Sequence, residues 1–230
     1  MAACYLREVR QLQPRGPYYL GGYCFGGNVA YEMARQLEQL GETVALVVLL
    51  DSAPSNAGYE RVTWWRPGFA FRFARNVGYW LSDFFGLGAE ERRRFIRRKT
   101  RSLGRKVKRW FCRETAGSDL DVEEIVDPIY FPESELKLWG IHLRALAEHT
   151  EGQYPGRITL LRTRGQPLLC SFDEDFCWGG LALGGVKVKR IPGSHENVFT
   201  EPNVRYLARA IEECLAQAQA ENHNPRPNPH

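Results

Sequence analysis

An α/β fold, with a mostly parallel sheet flanked by helices, is predicted by three features of the chain. A β-type apolar run, Tyr18 to Tyr23, passes through the turn Gly22-Tyr23-Cys24-Phe25-Gly26-Gly27 directly into a helical pattern. A second run, Thr43 to Leu50, carries no charge, as strands covered on both faces of a parallel sheet do. A third, Val186-Lys187-Val188-Lys189-Arg190-Ile191, alternates and leads into Pro192-Gly193-Ser194-His195. Strands alternating with helical segments are the pattern of an α/β sheet.

The elements follow in order. Ala3, Leu6, Val9 and Leu12 predict a first helix, ended before Gln13-Pro14. The first strand then meets Gly22-x-Cys24-x-Gly26, a strand–elbow–helix layout like the nucleophile turn of α/β-hydrolases, with cysteine in the serine position. Small residues at Gly22 and Gly26 are expected to allow the sharp turn that lifts the Cys24 sulfur into a cleft. The helix that follows points its N-terminus at that sulfur, and its dipole favours the thiolate. A structural glycine turn with an incidental cysteine is the plainer reading. Val29, Ala30, Met33, Ala34, Leu37 and Leu40 form the buried stripe of this helix, and Gly41 closes it.

The second strand ends in Asp51-Ser52, where α/β sheets place their sites. Alone, Asp51 also reads as a turn-initiating aspartate. Leu136 to His149 predicts a core helix, Glu151 to Gly156 a turn, and Arg157 to Thr163 a strand followed by Asp173 and Asp175, the rivals of Asp51. His195, on a loop after a late strand, is the expected general base, so nucleophile, acid and base follow in the order Cys24, Asp51, His195. Glu201 to Ala220 predicts a closing helix with Val204, Leu207, Ile211 and Leu215 inward, and Glu221 to His230 a disordered polar tail.

The chain has 230 residues, enough for one domain with a real core. No apolar run is long enough to span a membrane, and no signal peptide is expected, since Ala2 to Leu12 is broken by Arg7, Glu8 and Arg10. The six cysteines show neither tight pairing nor zinc-ligand spacing, so free thiols, no metal site and a cytoplasmic setting are expected. Charge is unevenly spread. Residues 60–113 hold 16 Lys/Arg and 4 Asp/Glu, net +12, and the remainder holds 15 and 23, net −8, which together make the overall +4. That basic block carries Trp64, Trp65, Phe69, Phe71, Phe73, Tyr79, Trp80, Phe84 and Phe85. A helical stripe of Phe95, Ile96, Leu103, Val107, Trp110 and Phe111 follows among arginines. Residues 60–135 are read as a mostly helical lid insertion within a domain spanning 1–220. Its basic face suits an acidic partner, or merely a solvated helix or an anionic membrane surface; nucleic acid is disfavoured because no recognition fold is present.

The run Gly22-Tyr23-Cys24-Phe25-Gly26-Gly27-Asn28-Val29-Ala30-Tyr31-Glu32-Met33-Ala34 resembles the nucleophile region of type I thioesterase domains, which end nonribosomal peptide synthetase and polyketide synthase lines. Leu50-Asp51-Ser52 and Pro192 to His195 match the family's acid and histidine segments, and the resemblance covers roughly residues 1–55 and 137–216. It implies a thioesterase or acyltransferase of α/β-hydrolase fold with a Cys24–His195–Asp51 triad and the Phe25 backbone N–H as an oxyanion donor. It also implies a substrate presented on the phosphopantetheine arm of an acyl or peptidyl carrier protein, with no bound cofactor. Cysteine for serine leaves room for aminolysis, cyclisation or acyl exchange besides hydrolysis. The family's early strands, which bring a second oxyanion N–H, are missing ahead of the first helix, so weak catalysis and an exposed edge on the Tyr18–Tyr23 strand are expected. A non-catalytic carrier- or partner-binding module of the same shape is the alternative.

Overall fold

The structure, a computed structural model, describes residues 1–55, 64–86, 88, 92–93, 96–97, 100, 133–166, 170–195 and 197–223. Helix α1 (Ala2–Leu12) is followed by strand β1 (Tyr18–Tyr23), helix α2 (Phe25–Gln39) and strand β2 (Val44–Leu50). Then come helices α3 (Phe69–Gly86) and α4 (Glu133–Glu148), strand β3 (Ile158–Gly165), a 3-10 turn (Trp178–Gly180), strand β4 (Val186–Ser194) and helix α5 (Asn203–His223). Two compact units result: Met1–Val77 with Thr150–His230, and Gly78–His149.

The first unit carries the sheet. Its four strands lie in the order β1-β2-β3-β4, and every neighbouring pair is parallel. Tyr23 is level with Leu50, Leu50 with Leu161, and Gly165 with Ser194. Parallel strands bring all their carboxyl ends to one edge, so the residues after β1, β2 and β4 emerge together.

Both faces of the sheet are covered, which is why β2 reads as an unbroken apolar run. Val47 and Leu49 pack with Tyr31 and Ala34 of α2, with Ile158 and Leu160, and with the fully buried Trp178. Val48, Leu50 and Leu161 face the other way, against Leu207, Ala210 and Cys214 of α5. A smaller cluster joins Ala2 and Leu6 of α1 to Tyr18, Met33 and Leu37.

The end of α2 explains its closing glycine. Gly41 has φ 74°, its N–H reaches the Glu38 carbonyl at 2.9 Å, and the Glu42 N–H reaches the Leu37 carbonyl at 3.0 Å. This paired bond set needs a left-handed residue, which glycine supplies without a Cβ clash.

Several expectations shift. The α5 stripe is Leu207, Ala210, Cys214 and Ala218, with Ile211 only at its margin, because small side chains let the helix lie close to the sheet. The helix runs on to His223, past the expected boundary at Ala220. A Gln217–Glu221 bond of 2.8 Å and a His223 ring bond to the Gln219 carbonyl of 2.8 Å sustain that last turn. α4 forms at the expected place, yet Leu138 and Ile141 are exposed, so two positions of the expected core stripe are not core. Most of the expected 60–135 lid lies outside the described residues, as do the greater part of its basic helix and residues 224–230 of the tail. No helix among the described residues is long and apolar enough to cross a membrane.

Candidate active site

Cys24 stands alone between β1 and α2, with φ 52° and ψ −126°. A side chain with positive φ is strained, and the surroundings must hold it there. The Cys24 N–H donates to the Leu50 carbonyl at 3.0 Å, and the Cys24 carbonyl accepts from the Gly27 N–H at 2.9 Å. Phe25 opens α2, so its N–H belongs to the first helical turn, next in sequence to Cys24.

The glycines that permit this elbow differ from the expected pair. A Cβ on Gly22 would stand 2.0 Å from the Gly26 carbonyl oxygen, and one on Gly27 would stand 2.5 Å from the Ser52 Cβ. A Cβ on Gly26 would meet open space. Gly22 and Gly27 are therefore the positions with no room, the first because the Gly26 backbone passes close to it and the second because the Ser52 side chain does.

Asp51 follows β2 at once, with φ 49° and a side chain only 5% exposed. Its Oδ1 accepts from the Thr163 N–H at 2.9 Å, and its Oδ2 from the Thr163 hydroxyl at 2.9 Å. The same Oδ2 lies 2.9 Å from His195 Nδ1. A carboxylate only accepts, so Nδ1 carries the proton of that bond. The loop after Asp51 is pinned from three sides. Trp178 donates its indole N–H to the Ser52 carbonyl at 2.8 Å, the Ser52 hydroxyl donates to Asn28 at 2.7 Å, and Glu151 accepts from the Ser55 N–H at 2.8 Å.

His195 follows β4. Gly193, with φ 93°, lies where a Cβ would be 2.6 Å from Asn197 Oδ1, and that same oxygen accepts the Ser194 N–H at 2.7 Å. Tyr23 grips the histidine from the elbow side: its hydroxyl donates to the His195 carbonyl at 2.6 Å, and its ring stacks on the imidazole with centroids 4.7 Å apart. Burial alone would lower the imidazole's proton affinity. Hydrogen bonds to Asp51 and to Cys24, with the charges of both, outweigh it and raise the pKa from 6.5 to about 10. Burial, and then the charges of Cys24 and Asp51, push the Tyr23 hydroxyl well above its ordinary value.

The structure thus brings Cys24, Asp51 and His195 to one edge of the sheet. Asp173 and Asp175 have other partners. Asp173 pairs with Arg66 at 2.9 Å and takes the Cys177 thiol at 3.5 Å, while Asp175 accepts the N–H groups of Cys177 and Gly179 at 3.0 and 2.9 Å. Thr163 and Tyr23 had no role in the sequence reading. Thr163 could be found only through the β2–β3 register, and Tyr23 only through the return of β4 beside β1. Cys4, Cys24, Cys177 and Cys214 are free thiols; Cys112 lies outside the described residues. Among the described residues, no three His, Cys, Asp or Glu side chains gather as they would around a metal ion.

Comparison with known proteins bears on this geometry. Residues 1–73 match the model of the thioesterase domain. The chain is 50% identical over 56 residues to a dimodular nonribosomal peptide synthase of Bacillus subtilis (strain 168), a match covering 24% of this chain and 2% of that protein. It is 42% identical over 78 residues to polyketide synthase 1 of Metarhizium brunneum (strain ARSEF 3297), covering 34% of this chain and 3% of that one. The chain therefore spans only a few hundredths of the length of these relatives. Among solved structures, the NocB thioesterase domain from the nocardicin cluster superposes with a TM-score of 0.54 at 26% identity, over 94% of this chain and 72% of that one. By sequence over residues 1–73 and by fold over 94% of its length, the chain is similar to the thioesterase domains, of α/β-hydrolase fold, that accompany nonribosomal peptide and polyketide synthases.

Proposed function

We propose that this chain is a thioesterase that takes an acyl or peptidyl group from the phosphopantetheine thioester of a carrier protein onto Cys24 and then releases it. The observation that carries this reading is the 2.9 Å Asp51–His195 bond at the sheet edge where Cys24 interrupts β1 and α2. The Cys24 sulfur attacks the acyl carbonyl, its proton taken by His195 or already held there as an ion pair. The oxyanion that forms is stabilised by the Phe25 N–H at the start of α2. Collapse breaks the bond to the pantetheine sulfur, which leaves with the proton from His195. Acylation removes the negative sulfur that holds this proton, so the emptied imidazole is ready to act as base. It then takes a proton from water, an amine or an internal nucleophile as that group attacks the Cys24 thioester. Asp51 keeps the imidazole in one tautomer and orientation throughout.

The reading draws its chemistry from side chains and calls for no bound cofactor. The synthase relatives support a carrier protein as partner, the cysteines without pairing spacing support a cytoplasmic setting, and the basic stretch of residues 60–113 suits an acidic carrier. The test is intact-mass measurement after mixing the chain with an acyl-pantetheine thioester. The expected result is one acyl adduct in the native chain and none in Cys24→Ala. An undiminished adduct in the alanine variant, or no adduct in either chain, would leave a non-catalytic binding module as the better description.

A further inference from the structure

A continuous run of buried hydrogen bonds extends from Asp51 away from His195, and nothing in the chemistry above uses it. Thr163 gives both its N–H and its hydroxyl to the Asp51 carboxylate, each at 2.9 Å. Its hydroxyl has one proton and two acceptors in reach: Asp51 Oδ2 at 2.9 Å and the Gly165 carbonyl at 3.4 Å. Gln166 weighs on that choice. Its side-chain amide donates to the Thr163 carbonyl at 2.6 Å and to the Thr163 hydroxyl oxygen at 3.3 Å. A lone pair so occupied leaves the hydroxyl proton for Asp51.

Gln166 is itself gripped at both ends of its backbone. Its N–H donates to Asn76 Oδ1 at 2.9 Å, and its carbonyl accepts from Asn76 Nδ2 at 3.0 Å. This two-bond grip fixes which way the Asn76 amide points. Asn76 lies on α3, 90 residues away in sequence, one residue before the Val77 limit of the first unit. Asn76, Gln166 and Thr163 are all buried, so each partner lost leaves a polar group unsatisfied.

We infer that Asn76, Gln166 and Thr163 are positioning residues for Asp51, and that the seating of the first half of α3 is thereby coupled to the orientation of His195. This rests on the thioesterase reading above, in which Asp51 orients the base. The physical content is that a carboxylate with one fixed donor on Oδ1 and a second on the Oδ2 that His195 uses cannot swing. The Nδ1–H of His195 then meets an oxygen held in one place. Release of α3 frees Gln166, the Thr163 hydroxyl turns toward Gly165, and Asp51 gains freedom it does not have when α3 is docked.

The test uses the whole chain and two readouts. One is the single-turnover rate of Cys24 acylation by an acyl-pantetheine thioester. The other is the low-field proton resonance of the His195 Nδ1–H at neutral pH, assigned by its loss in His195→Gln. Thr163→Val keeps the shape and removes the hydroxyl. It is expected to slow acylation on the order of tenfold and to weaken or shift the resonance, with the KM for the thioester unchanged. Thr163→Ser restores both. Asn76→Ala acts in the same direction at a distance, and Asn76→Asp, which keeps one of the two bonds, gives a smaller change if the alanine variant does not fold. A folded Thr163→Val with the native rate and resonance overturns the inference, and so do folded Asn76 variants that lose thermal stability alone. Failure of the thioesterase reading is separate: Cys24→Ala would still acquire the acyl group, whatever the resonance does.

Discussion

Two neighbouring strand ends, β2 and β3, are both followed by aspartates, and the chain treats them in opposite ways. Asp51 comes immediately after β2. The ladder is still running at that point, with the Asp51 N–H on the Leu161 carbonyl at 2.9 Å. In a continued parallel ladder the next bond would join the Thr163 N–H to the Asp51 carbonyl. Instead the chain turns to φ 49°, and the Asp51 side chain takes that N–H with its own oxygen. Asp173, by contrast, sits eight residues beyond the end of β3, on a loop that spends it on Arg66 and Cys177. An acid that replaces a backbone carbonyl inherits the rigidity of the sheet, and an acid on a loop does not. That difference favours Asp51 as the group able to orient a histidine from the next strand but one.

The sharpest way to break this comparison is to neutralise each acid in turn. Asp51→Asn is expected to lower turnover of an acyl-pantetheine thioester by roughly a thousandfold or more, because an amide offers His195 the wrong hydrogen-bonding pattern. Asp173→Asn should change it less than threefold, on the order expected of a group whose partners lie outside the reacting set. Steady-state rates on the two variants decide the matter. A crippled Asp173→Asn with an active Asp51→Asn would move the acid to the later loop.

The second test reads the same pair through stability. The folded-state pKa of His195, about 10, lies above its unfolded value of 6.5. The folded chain then holds the proton more tightly, so this group stabilises the fold fully below 6.5 and loses that contribution as the pH rises through about 10. Urea unfolding across this window should show the native chain losing stability relative to His195→Gln. In Asp51→Asn much of the slope should vanish, since the carboxylate is one of the two groups that raise the value. A native chain whose stability tracks that of His195→Gln throughout would mean that His195 titrates without help from Asp51.

What was legible beforehand follows the range of each interaction. The Cys24 elbow, the Gly41 cap and the apolar β2 run are written in consecutive residues, because turn sterics, helix periodicity and strand burial all act locally. Thr163 looks like any strand threonine until β2–β3 pairing sets it beside Asp51. Tyr23 looks like any strand aromatic until the end of β4 folds over it. Gly26 and Gly27 could not be told apart by spacing, since what excludes a Cβ at Gly27 is Ser52, a residue from the following strand end. Between Asp51 and Asp173 the residues alone left the choice open, and the strand register supplies the physical difference.

The smallest effect belongs to the other strand end. Cys177 has φ 70° and caps the short turn at Trp178, with its thiol 3.5 Å from Asp173 Oδ2. Burial first, and then the charge and hydrogen bond of Asp173, push the thiol up to about 11, with Asp175 adding to this and Arg66 opposing it. Cys177 should therefore resist iodoacetamide at mildly alkaline pH and react only as the pH nears that value. Asp173→Asn removes the charge but leaves the burial, so the onset of alkylation should move down modestly, by less than the whole displacement, with acylation of Cys24 untouched. Peptide mass spectrometry follows Cys177 directly, and the exposed Cys4 in the same digest calibrates the reagent. An onset identical in the native and Asp173→Asn chains would show that the thiol feels its burial alone. The carboxylate of Asp173 would then be bound to Arg66 only, at an exposed contact worth about 1 kcal/mol or less, and free to be drawn elsewhere, so the contrast with Asp51 would rest on the sheet register by itself.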